Sequence, residues 1–140
     1  MRYEELLQYA IEARKLAYAP YSNFRVGAAL LTRDGKVYKG CNIENAAYGA
    51  TICAERVAMF KAVSDGQRDF LALCVVADGD AACTPCGACR QVMVEFAPDM
   101  MVIMGNLAGA YEIKTASELL PFAFGKDEKQ KSRLIKGTQK

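Results

Sequence analysis

Two short stretches carry the residues that could do chemistry. One is Thr84-Pro85-Cys86-Gly87-Ala88-Cys89-Arg90, and the other, upstream, is Ile52-Cys53-Ala54-Glu55-Arg56. The Cys-x-x-Cys spacing of Cys86 and Cys89 suits one zinc ion, and Cys53 offers a third sulfur. Three protein ligands leave a tetrahedral ion one open position, the arrangement of a catalytic rather than a structural zinc. The chain has no histidine, so any general acid or base must be Glu, Asp, Tyr, Lys or Cys. Glu55, beside Cys53, is the candidate. Three thiolates leave about −1 on a Zn²⁺ core and weaken it as a Lewis acid, so a nearby cation is expected. Arg56, one helical turn after Cys53, is preferred over Arg90, which follows Cys89.

These side chains need elements that aim them. Both stretches place cysteine at the expected start of a helix, where unpaired N–H groups and the macrodipole favour the thiolate. Pro85 suits a helix's first turn, where a missing N–H is harmless. Glu55 stands two residues after Cys53, an offset of about 200° on a regular helix. The two converge only if Cys53 sits at the helix mouth and points off its end. Taken alone, Glu55 would read as a first-turn acid stabilising the dipole. Rival readings remain. Cys83, three residues before Cys86, could close a four-cysteine structural site, and Cys86/Cys89 could be a thioredoxin-like redox pair. Cys74 reads as a core residue and Cys41 takes no role.

Residues 3–18 predict an amphipathic helix, with Leu6, Leu7, Ala10, Ala13, Leu16 and Ala17 at steps of three and four. A strand follows over 25–32, then an Asp34-Gly35 turn and a second strand over 36–42. A loop from Glu44 to Thr51 leads into a helix over 53–64. The continuous apolar run 70–77 reads as a strand covered on both faces. A helix over 86–97, strands over 100–105 and 111–115, and a short helix at Ser117-Glu118-Leu119-Leu120 complete the order. Alternation of strands and helices predicts a three-layer α/β/α sandwich around a mixed, mostly parallel five-stranded sheet.

At 140 residues the chain is expected to form one domain, residues 1–124, followed by a polar basic tail over 125–140. The formal net charge of +2 gives little field to attract nucleic acid. The tail carries six Lys/Arg against two Asp/Glu, leaving 18 − 6 = 12 basic and 16 − 2 = 14 acidic residues in the body. No apolar run approaches the roughly twenty residues of a membrane span, so no membrane role is expected. Six cysteines without a secretory signal point to reduced thiols and a cytoplasmic location.

Five blocks, in order and spacing, resemble the small homotetrameric cytidine deaminases. They are Tyr18-Ala19-Pro20-Tyr21-Ser22-Asn23-Phe24, Val26-Gly27-Ala28-Ala29-Leu30, Gly40-Cys41-Asn42-Ile43-Glu44-Asn45-Ala46-Ala47-Tyr48, Cys53-Ala54-Glu55-Arg56 and Pro85-Cys86-Gly87-Ala88-Cys89-Arg90-Gln91. The likeness runs from about Ala17 to Phe124. It implies one zinc per chain on Cys53, Cys86 and Cys89, with water in the fourth place. It implies that Glu55 moves protons during hydrolysis of cytidine and 2′-deoxycytidine to the uridines and ammonia, in pyrimidine salvage. Asn42 and Glu44 would hold the ribose, both on one face if the strand persists. Phe24 would lie against the pyrimidine and backbone groups at Ala54 would read the base. Tyr48 and Phe124 match positions that reach a neighbouring subunit's pocket in a homotetramer with shared active sites. Thr51, Ile52, Met93 and Met104 depart from the family's usual residue types, away from the proposed chemistry. Competing functions are a blasticidin-type deaminase, opposed by Asn42-Ile43-Glu44-Asn45, a polynucleotide-editing deaminase, and a non-catalytic zinc module in which Glu55 is dispensable.

Overall fold

A computed structural model describes residues 1–125 together with Ile135 and Gly137. The expected basic tail therefore lies outside the described residues, apart from Gly125 and those two. The elements are α1 (Tyr3–Arg14), β1 (Val26–Thr32), β2 (Val37–Cys41), a 3₁₀ turn (Tyr48–Ala50), α2 (Ala54–Ser64), β3 (Phe70–Ala77), α3 (Gly87–Phe96), β4 (Met101–Gly105) and β5 (Tyr111–Thr115). Among the described residues no helix is long and apolar enough to cross a membrane.

The five strands form one mixed sheet in the order β2-β1-β3-β4-β5. Helix α1 covers one face, where Leu6, Leu7 and Ala10 pack against Ala29, Cys74, Val76 and Ile103. Helices α2 and α3 cover the other, where Ala58, Met59 and Met93 pack against Leu30, Leu73, Val75 and Val102. Strands β1 and β3 are apolar on both faces because both are covered; the edge strand β5 is mostly exposed and reads Tyr-Glu-Ile-Lys-Thr. Cys74 is a fully buried core residue.

The three-layer α/β/α arrangement matches the expectation, but the sheet is not mostly parallel. Only β3 and β4 pair in parallel; β1 with β2, β1 with β3 and β4 with β5 are antiparallel. The helix-linked strands β2, β3 and β4 do run the same way, as strand–helix–strand alternation requires. Strand β1 doubles back from β2 through the Asp34-Gly35 turn and inserts between β2 and β3, so both of its pairings are antiparallel. Gly35 takes φ +89°, which only glycine adopts freely.

Three element boundaries also differ. Helix α1 stops at Arg14, and Leu16 is 76% exposed rather than part of the core. Residues 15–17 close the helix in a tighter turn, their N–H groups on the carbonyls three residues back. The chain then leaves because Tyr18 N–H donates to the Asn42 carbonyl and Pro20 disfavours helix at Ala19. Residues 116–120 form a turn rather than a helix, held where the Glu118 carboxylate accepts from the Thr115 backbone N–H. The 3₁₀ turn over 48–50 lies in a stretch read as loop. By contrast, α2 ends as its Asp65-Gly66 signal demands. Gln67 N–H reaches the Ala62 carbonyl and Gly66 N–H the Val63 carbonyl, a Schellman motif.

Two glycines set how closely helices approach the sheet. A Cβ at Gly40 would lie 2.4 Å from the Ala54 carbonyl oxygen and 2.6 Å from the Ala58 nitrogen, inside the α2 backbone. A Cβ at Gly27 would lie 2.0 Å from the Ala10 carbonyl oxygen of α1. Gly40→Ala and Gly27→Ala should each lose about 1–3 kcal/mol in urea denaturation through overpacking. Gly49→Ala, with nothing within 4 Å of the new Cβ, should change stability by no more than about 0.5 kcal/mol.

Candidate metal centre

Cys53 is the N-cap of α2, at φ −76° and ψ 152°, and Cys86 is the N-cap of α3, at φ −69° and ψ 168°. Their extended backbones release the side chains from the helical spiral and point them off the helix mouths. That resolves the 200° offset between Cys53 and Glu55, since only Glu55 is inside the helix. Pro85 stands two residues before α3, just ahead of its N-cap, rather than in its first turn; its carbonyl accepts the Arg90 Nε–H at 2.8 Å. Helix α2 is brought up to the sheet by the close approach over Gly40. The bridge between Ile43 and Ile52 fixes the residue just before Cys53.

The sulfurs of Cys53, Cys86 and Cys89 all lie within 4.8 Å of one another, with Cys89 buried and Cys86 at the surface. Cys53 and Cys86 Sγ are 3.7 Å apart. A tetrahedral zinc with Zn–S bonds near 2.3 Å needs its sulfurs about 3.8 Å apart, so this pair already has the separation the ion demands. The hydrogen bond from the Cys89 thiol, with help from Arg56, pulls the Cys53 thiol down to about 5. The same bond to Cys53 and burial push Cys89 up. Closely spaced thiols, one of them drawn toward the thiolate, make a donor set suited to a cation. Sulfur donors, their spacing and the thiolate character of Cys53 all fit zinc.

Cys83 is not among the converging sulfurs, and burial pushes its thiol up to about 12. Its backbone N–H is taken by the Gly105 carbonyl. The closed four-cysteine arrangement is therefore not the one present. Glu55 is only 4% exposed. Burial raises its carboxyl to about 7, and the Cys53 charge adds to the rise, while its own backbone N–H and the Cys89 thiol oppose it. A cation among the sulfurs would favour the ionised form. Arg56 donates from Nη2 to Cys53 Sγ at 3.4 Å, and its buried Nε has no hydrogen-bond partner among the described residues. Arg90 is turned away, with Nη1 on the Leu119 carbonyl at 2.9 Å.

The remaining residues singled out from the sequence fall in two places. Strand β2 ends at Cys41, so Asn42 and Glu44 are not strand neighbours, yet both address the segment 21–26. Asn42 Nδ2–H donates to the Phe24 carbonyl and Asn42 Oδ1 accepts the Val26 N–H. The Glu44 carboxylate accepts the Tyr21 and Ser22 backbone N–H groups and the Ser22 hydroxyl. Phe24 is half exposed and Ala54, the first residue of α2, is fully buried. Tyr48 and Phe124 project from the chain, 83% and 85% exposed. Phe124 edges a cavity of about 470 Å³ beside Gln91, Val92 and Phe96. Sequence reasoning missed Ser22 and Asp78 as holders of this segment. A hydroxyl two residues before an aromatic is a local turn signal that could have shown the first. Asp78, which pairs with Arg14 and accepts the Arg25 N–H, is joined only by tertiary structure.

Comparison with known proteins agrees with this geometry. Residues 1–105 match the family described as the cytidine and deoxycytidylate deaminase zinc-binding region. The chain is 59% identical over 120 residues to a cytidine deaminase of Halalkalibacterium halodurans, covering 85% of this chain and 91% of that one. It is 56% identical over 129 residues to a cytidine deaminase of Sporosarcina psychrophila, covering 91% and 95%. The crystal structure of cytidine deaminase from Burkholderia pseudomallei superposes with a TM-score of 0.86 at 50% identity, covering 89% of this chain and all of that one. A match over that length, joined to three sulfurs at metal-ligand spacing, places the chain in the cytidine and deoxycytidylate deaminase zinc-binding family.

Proposed function

We propose that this protein is a zinc-dependent cytidine deaminase that converts cytidine and 2′-deoxycytidine to uridine and 2′-deoxyuridine with release of ammonia. The observation that carries the reading is the meeting of three sulfurs with one buried carboxyl at the mouths of two helices. Cys53, Cys86 and Cys89 hold one zinc ion per chain. Bound there, zinc would supply Lewis acidity to activate a water molecule.

Glu55 is the general acid–base residue. Its carboxylate takes a proton from the attacking water and delivers it to N3 of the pyrimidine as C4 is attacked; it then takes the proton of the new C4 hydroxyl and passes it to the amine, which leaves as ammonia while the C4 carbonyl forms. Burial raises that carboxyl's affinity for protons and opposes the pull of a cation among the sulfurs, which suits a group that both accepts and donates. Arg56 offsets the excess negative charge of three thiolates through its contact with Cys53 Sγ.

The nucleoside is held by Phe24 against the base, by backbone groups at Ala54, and by Asn42 and Glu44 at the ribose. Beyond the bonds they make within the chain, Asn42 keeps one Nδ2–H, and Glu44 keeps acceptor capacity on Oε2. Tyr48 and Phe124 serve the pocket of a neighbouring subunit in a homotetramer; their exposure in the single chain supports that reading. The catalytic unit is residues 1–124 and the working location the cytoplasm, in pyrimidine salvage. No nucleic-acid or membrane partner belongs to this reading, which the near-neutral net charge supports.

Incubated with the zinc-loaded protein, cytidine and deoxycytidine should lose their absorbance band, whereas CMP and blasticidin should not. Glu55→Gln should keep one zinc per chain and lose about 10²–10⁴-fold in turnover; intact turnover would remove the carboxylate from the chemistry. Arg56→Ala should remain folded while zinc affinity, read by chelator competition, or turnover falls about 10–100-fold. Unchanged zinc affinity and kinetics would show that Arg56 plays no part.

A further inference from the structure

The segment that presents Phe24 is held by three residues, Ser22, Asn42 and Asp78, through their side chains and, for the last two, their backbone N–H groups as well. Each backbone group of residues 24–26 has a partner. Phe24 N–H donates to Ser22 Oγ at 3.0 Å, and the Phe24 carbonyl accepts from Asn42 Nδ2 at 2.8 Å. Arg25 N–H donates to Asp78 Oδ2 at 3.0 Å, and its carbonyl accepts the Asp78 N–H at 3.1 Å. Val26 N–H donates to Asn42 Oδ1 at 2.9 Å, and its carbonyl accepts the Asn42 N–H at 3.2 Å. Yet the Phe24 ring is 47% exposed. Ordering backbone has an entropic cost that core packing usually offsets. Here hydrogen bonds fix the backbone while the ring is left facing outward.

On the C-terminal side of Phe24 the restraints come from Asn42 and Asp78. On the N-terminal side they come from Ser22. Its hydroxyl accepts the Phe24 N–H while donating to Glu44 Oε2, and its own backbone N–H goes to Glu44 Oε1 at 3.1 Å. That hydroxyl is the leading reason the Glu44 carboxyl lies below the ordinary carboxylate range. Between Ser22 and Phe24, Asn23 takes φ +56°, a left-handed conformation that Asn tolerates better than most residues, with its N–H on the Ala19 carbonyl at 2.9 Å. The paired bridges Tyr18–Ile43 and Ile43–Ile52 tie this loop to the residue just before Cys53.

We infer that Ser22 is a positioning residue: its hydroxyl couples the Glu44 carboxylate to the backbone that aims the Phe24 ring. The inference rests on the proposed deaminase reading for its consequence, because that reading makes Phe24 and Glu44 the base and ribose contacts of one nucleoside site. Removing the hydroxyl frees the Phe24 N–H and loosens one hold on Glu44. The loss falls on substrate binding, not on the metal or on proton transfer.

The test compares Ser22→Ala and Ser22→Thr with the unaltered, zinc-loaded protein, reading cytidine kinetics and amide hydrogen exchange over residues 20–26. Ser22→Ala should raise KM roughly tenfold, the worth of one hydrogen bond to a charged group. Its kcat should stay within about twofold, zinc content should be unchanged, and exchange at Phe24 should quicken without change in α2 or β3. Ser22→Thr, which keeps the hydroxyl, should restore both readings. An unchanged KM, unchanged exchange at Phe24, or failure of threonine to restore them would overturn the inference. If the unaltered protein leaves cytidine untouched, the deaminase reading fails, and the exchange comparison still decides whether Ser22 holds Phe24.

Discussion

Three sulfur atoms within 4.8 Å of one another set the terms for the rest of this molecule. Two thiolates about 4 Å apart repel by on the order of 4 kcal/mol at the effective dielectric near a protein surface. The arrangement leans on two helix N-termini and has Arg56 against Cys53. Each of these devices also favours a cation. The thiolate character at Cys53 and the Arg56 guanidinium held against it are thus two expressions of one constraint, excess negative charge gathered at a single point.

Gathering that charge requires two helix mouths to meet above one face of a sheet. Strand order supplies the meeting, since β1 and β3 sit at the centre with α2 and α3 packed over the same face. Small residues supply the precision. Gly40 lets the α2 backbone approach so closely that a methyl group would overlap the Ala54 carbonyl, between Cys53 of the sulfur cluster and Glu55. Packing and chemistry meet at that contact, because a displaced α2 would carry Cys53, Glu55 and Arg56 with it. Met93 and Met104 are fully or nearly buried in the same layer, where a flexible unbranched side chain can fill irregular gaps.

Much of this was legible in the chain. Helix-start cysteines, the Asp34-Gly35 turn, the apolar run of β3 and the Asp65-Gly66 stop are local signals, and each led to the element found. The parallel character of the sheet was misread, because alternation of strands and helices fixes the direction of β2, β3 and β4 but says nothing of where the hairpin partner β1 inserts. Leu16 fits the helical period, yet the pull of the Tyr18–Asn42 backbone bond ends α1 before it. Spacing alone could not place Glu55 beside Cys53; that needed the N-cap geometry. The Arg14–Asp78–Arg25 cluster was invisible for a simpler reason. Its members are far apart in sequence and carry no motif, so only the closed fold brings them together.

The most direct test of the open three-sulfur centre is X-ray absorption at the zinc edge of the purified, zinc-loaded protein. Three sulfurs at about 2.3 Å and one oxygen or nitrogen at about 2.0–2.2 Å are expected. Four sulfurs around the ion would contradict the open position on which the hydrolytic chemistry depends.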